Sequence, residues 1–69
     1  MEMHQVDSSN VAAIGYDDGS ETLQVEFNSG ATYQYFDVPE HIFDAMLEST
    51  SKGQFLHQNI KGAFRFSRV

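Results

Sequence analysis

Six residues near the end of the chain, Ser51, Lys52, Gly53, Asn59, Lys61 and Arg65, gather hydroxyl, amide and cationic groups around one short helical pattern. A glycine at a helix start lets a ligand approach backbone N–H groups, and an adjacent lysine adds positive charge, which together is the chemistry of an anion site. Tyr33 and Tyr35, one residue apart, offer a second chemistry. Aromatic faces on a sheet hold unstacked bases where cationic groups stand nearby. Packing competes with both readings. Asn59 falls on an apolar stripe, where an amide usually serves a buried backbone group. Rings in so short a chain are chiefly core, so the tyrosines are expected inside, with their hydroxyls near the edge.

Other chemistries lack their constellations. His4, His41 and His57 fall on three different elements, none pairs with another at helical spacing, and there is no cysteine, so no metal site is expected. Asp17, Asp18 and Ser20 carry oxygen ligands without the twelve-residue loop and terminal Glu of a calcium site. Ser8, Ser9 and Asn10 precede a strand, where they turn or cap backbone, and no Gly-x-Ser-x-Gly elbow is present. The five glycines are dispersed, so no phosphate-cradling loop forms. The expectation is a non-catalytic protein without a cofactor.

Charge is polarised along the 69 residues. All ten acidic side chains lie between Glu2 and Glu48, and the four basic ones, Lys52, Lys61, Arg65 and Arg68, lie in the last eighteen positions. A net charge of −6 repels polyphosphate at long range, so a nucleic-acid contact must use the basic end at short range. No apolar run is long enough to span a membrane and the start lacks a signal-peptide pattern, so a cytoplasmic location and no membrane partner are expected.

These side chains need a scaffold. Val11-Ala12-Ala13-Ile14-Gly15-Tyr16 is a short apolar run ending in Asp17-Asp18-Gly19-Ser20, where Gly19 is expected to supply the positive φ of a tight reversal. Thr22–Phe27 alternates strictly, putting Leu23, Val25 and Phe27 on one face. A three-residue loop, Asn28-Ser29-Gly30, then sets Val25 against Tyr33 and Leu23 against Tyr35, with Gln24 facing Gln34 and Glu26 facing Thr32. A two-residue loop would mix polar with apolar at each pair. Phe36 breaks the alternation, which predicts a bend near Asp37.

Pro39 is expected at the first position of a helix whose stripe is Ile42, Phe43, Met46 and Leu47. Ser51 and Gln54 have the form of a capping box for a second helix, with Phe55, Leu56, Asn59 and Ile60 as its stripe and Gly62 as its left-handed stop. The tail around Phe64 and Phe66 alternates again and predicts a short C-terminal strand. The fold expected is a single α+β domain over residues 1–69: a three-stranded antiparallel meander packed against two short helices, with that terminal strand.

Val6, Ser8-Ser9-Asn10-Val11, Ile14-Gly15-Tyr16-Asp17, Leu23-Gln24-Val25-Glu26-Phe27, Gly30, Tyr33-Gln34-Tyr35, Val38-Pro39, Ser51, Gly53, Phe55 and Ile60 are landmarks of a known pattern. In these residues the chain resembles the KTSC domain, a short bacterial and phage-borne module also found at the C-terminal end of some lysyl-tRNA synthetases. The resemblance implies RNA as a partner, through those fusions. The functional expectation is a binding module for RNA, a nucleotide or another small anion, held by Ser51, Lys52, Gly53, Asn59, Lys61 and Arg65 with Tyr33 or Tyr35 at the rim. The alternative is a protein-interaction module, homo-oligomeric or with another protein, using Phe36, Phe64 and Phe66.

Overall fold

Alternation in Thr22–Phe27 (β3) sets the centre of the sheet. In the computed structural model, which describes residues 1–69, β3 pairs antiparallel with Thr32–Tyr35 (β4). All four expected pairs are present: Leu23 with Tyr35, Gln24 with Gln34, Val25 with Tyr33 and Glu26 with Thr32. Gly30 takes φ 97° in the three-residue loop, a conformation that costs a glycine least. On the other side of β3 lies Val11–Asp17 (β2), with a bulge at Ala12 where its register shifts.

The sheet is wider than the sequence pattern shows. It has five antiparallel strands in chain order, because Met3–Gln5 (β1) pairs with β2 and Phe66–Arg68 (β5) pairs with β4. The expected terminal strand is present, and β1 corrects the three-stranded reading. A side chain on Gly15 would put its Cβ 2.4 Å from Met3 Sδ and 2.8 Å from the Glu2 carbonyl oxygen, so β1 packs onto β2 where Gly15 leaves room. The β2–β3 reversal is corrected too. Its left-handed residue is Glu21, φ 53°, while Asp17 organises the turn by accepting from the Gly19 N–H at 3.1 Å and the Ser20 hydroxyl at 2.9 Å.

After β4 the chain leaves the sheet at Asp37, φ 60°, which is the expected bend. Glu40–Glu48 (α1) follows, with Pro39 standing as the residue before the helix, one place earlier than expected, in extended backbone. Lys52–Phe55 (α2) runs straight into a π-helical turn at Leu56–Ile60, and Gly62 stops it with φ 82°. Both helices cover one sheet face. Val11, Ile14, Leu23, Val25, Val38, Met46, Leu56 and Ile60 are fully buried between the layers; burial of each is worth roughly 1.5–3 kcal/mol. Tyr16 ties the layers at one end: its ring stacks on Phe43, centroids 5.2 Å apart, and its hydroxyl donates to the Val38 carbonyl. No helix is long and apolar enough to cross a membrane.

Candidate functional site

The start of α2 is filled by the chain's own groups. Ser51 Oγ accepts the Gln54 N–H at 3.2 Å, which is the expected cap. Asn10 lies over Gly53: a Cβ there would stand 2.4 Å from Asn10 Oδ1, the end of an exposed side chain. The space expected to admit an anion holds an amide of the β2 approach instead. Lys52 is half-buried and its ammonium donates to the Ser49 carbonyl, capping the chain as it leaves α1. Beside these residues lies a polar hollow of about 160 Å³ walled by Ser51, Gln54, Phe55 and Asn59 among others, with no charged group in its lining.

Asn59 is exposed, a correction to its place on the apolar stripe. In the π turn the Lys61 N–H reaches back five residues to the Leu56 carbonyl at 2.8 Å. The wider turn keeps Ile60 under Leu56 and swings Asn59 outward, where its amide donates to the Phe55 carbonyl at 3.3 Å. Arg65 is likewise committed. Its guanidinium pairs with Asp37 at 3.0 Å and lies over the Phe36 ring at 5.6 Å, so it is held at the bend after β4.

A second hollow, of about 280 Å³, opens where the helix layer stops short of the sheet edge. Its lining is Tyr33, Tyr35, Lys61, Gly62 and Phe66. Register explains the floor: Phe66 is opposite Tyr35 and Arg68 opposite Tyr33, so all four side chains leave the sheet on the helix-covered face. The rings touch in sequence. Tyr33 and Tyr35 are stacked at 6.5 Å, Phe66 is tilted 5.8 Å from each, and Phe27 meets Tyr33 edge-on at 5.7 Å. Tyr35 is 3% exposed and forms the buried back, as expected, whereas Phe66 is 59% exposed and Tyr33 half-buried. Burial raises the Tyr35 phenol above its ordinary pKa, with Tyr33 beside it adding to the shift. The ring is neutral at physiological pH.

Lys61 forms the wall, its ammonium 5.9 Å from the Phe27 centroid, and neither it nor Arg68 has a carboxylate partner. Of the eight residues expected at a site, Tyr33, Tyr35 and Lys61 therefore meet in one cleft, Ser51 and Asn59 flank another, and Lys52, Gly53 and Arg65 are used internally. Phe66, Gly62 and Arg68 were missing from the expected set. The spacing of Phe66 and Arg68 on one alternating strand was the signal available for two of them.

The KTSC domain pattern matches residues 7–64 of this chain. The chain belongs to the KTSC domain family. Over 63 residues this KTSC domain is 41% identical to a protein of Tsukamurella paurometabola, covering 91% of this chain and 94% of that one. It is 36% identical over 63 residues to a lysine–tRNA ligase of Nostoc sp., covering 91% of this chain but 11% of the ligase. The crystal structure of a KTSC domain protein from Yersinia pestis superposes with a TM-score of 0.95 at 35% identity, covering 99% of this chain and 96% of that one. The KTSC fold seen here is thus shared nearly end to end.

Proposed function

We propose that this domain is a non-catalytic binding module for RNA, acting in the cytoplasm and holding its ligand in the cleft of Tyr33, Tyr35 and Phe66 beside Lys61. The carrying observation is an accessible aromatic surface flanked by two cations, Lys61 and Arg68, that are in no ion pair. Aromatic faces next to cationic groups on a sheet stack unpaired bases and neutralise their phosphates. Similarity to a segment of lysine–tRNA ligases supports an RNA partner, and the absence of cysteine fits the compartment. Fluorescence anisotropy of a labelled oligoribonucleotide at low salt tests the proposal, with Phe66→Ala and Lys61→Ala beside the unchanged domain. Binding weakened by both substitutions is expected; no anisotropy change at millimolar protein refutes it.

One observation favours a second reading, a protein-interaction module. β5 is an outer strand of the sheet, and Phe66 on it and Val69 just beyond it are 59% and 63% exposed. Phe64 is half-buried against the core and Phe36 lies under Arg65, so of the three phenylalanines first considered only Phe66 is open. Light scattering over a wide concentration range separates the readings for self-association. A mass that grows with concentration, and stops growing in Phe66→Ala, would favour this alternative.

A further inference from the structure

We infer that the cleft selects single-stranded RNA over duplex and engages about two phosphates, an inference that rests on the RNA reading proposed above. The chain has four cationic side chains apart from histidine. Lys52 donates its ammonium to the Ser49 carbonyl, and Arg65 is paired with Asp37 and laid on Phe36. That leaves Lys61, over Phe27 but in no ion pair, on the helix side of the rings and Arg68, also in no ion pair, on the strand side. All other charged side chains apart from histidine are acidic, within a net charge of −6. Duplex recognition relies on many phosphate and sugar contacts across successive grooves, which two cations cannot supply against that background.

The cleft is built for the opposite case. Its accessible floor is Tyr33 and Phe66, centroids 5.8 Å apart and tilted by 47°. A base can lie on that floor only after leaving its own stack, since a base inside a duplex is covered on both faces by its neighbours. Lys61 and Gly62 close one side, so the base enters from the strand edge with its flanking phosphates toward Lys61 and Arg68.

The test compares a single-stranded oligoribonucleotide of about eight nucleotides with the blunt duplex it forms with its complement, both titrated across a salt series. Two phosphate contacts on a single strand give a slope of log K against log salt of about −1.4, which is roughly a sevenfold loss of affinity between about 50 and 200 mM salt. Lys61→Ala should bring the slope to about −0.7 and that loss to roughly two- to threefold. Lys61 is exposed, so circular dichroism of the variant should match the unchanged domain. Duplex binding at least about tenfold weaker than single-strand binding supports the inference. Equal binding of the two RNAs, or a slope steeper than about −3, overturns it while leaving RNA binding intact. Failure of both RNAs to bind overturns the RNA reading and this inference together.

Discussion

Gly53→Ala separates two roles for one glycine. If Gly53 exists to admit a ligand to the start of α2, alanine should stabilise the free protein, by roughly 0.5–1 kcal/mol from helix propensity, and weaken binding. The structure opposes that gain. Its φ is not in the left-handed region, so the backbone tolerates alanine, but the new Cβ would stand 2.4 Å from Asn10 Oδ1 and 3.2 Å from Asn10 Cγ. Asn10 is exposed and the clash is with the end of its side chain, so the amide turns aside at a cost of about 0.5–1.5 kcal/mol. Set against the propensity gain, Gly53→Ala should change stability by less than about 1 kcal/mol.

Removing the obstructing amide should release the full gain. In an Asn10→Ala background the space above position 53 is open, and Gly53→Ala should then stabilise by roughly 0.5–1 kcal/mol. Urea unfolding of the four proteins yields the coupling directly, about 0.5–1.5 kcal/mol between the two positions. An effect of the same sign and size in both backgrounds would refute the packing explanation, and a loss of RNA affinity with stability unchanged would restore Gly53 to the ligand.

Met46 is fully buried between α1 and the sheet, so Met46→Ala should lower stability by about 2–5 kcal/mol in urea unfolding, a large share of what a domain has. Tyr16 and Tyr35 both have raised pKa values, in each case chiefly from burial, with the carboxylates of Glu21 and Glu40 adding to the shift at Tyr16. The folded chain holds those protons more tightly than the unfolded chain does. Their contribution is therefore complete below the ordinary tyrosine pKa of about 10 and is lost as pH rises through it toward the folded values. Urea midpoints between pH 8 and pH 11 should fall at the alkaline end, and a fall undiminished in Tyr35→Phe would contradict the assignment to Tyr35. Arg65→Ala should cost only about 0–1 kcal/mol, because its ion pair with Asp37 is exposed. It should also leave RNA affinity closer to that of the unchanged domain than Lys61→Ala does, by anisotropy.

The parts of the fold legible in the sequence are those where one polarity pattern must match another. Leu23, Val25, Tyr33 and Tyr35 share a face with the three-residue loop and not with the two-residue one, and the register of the three-residue loop is present. Met3-His4-Gln5 has no alternation of its own, and its pairing depends on space left by Gly15, a contact between distant residues that local pattern does not contain. Asn59 fails for a related reason. A 3.6-residue period places it on the buried stripe, and the π turn that displaces it leaves Leu56 and Ile60 buried just as an ordinary helix would. The site divides in the same way. Aromatic spacing identified Tyr33 and Tyr35, and the charge layout confined any anion contact to the last eighteen residues. A count of cations, however, carries no information about their partners. Lys52 and Lys61 are the same residue type nine positions apart, yet one is spent on a backbone carbonyl and the other stands beside open rings. The difference comes from where α1 ends and where β5 returns to the sheet. Functional assignment in a domain this small thus turns on which charged groups the fold leaves without a partner.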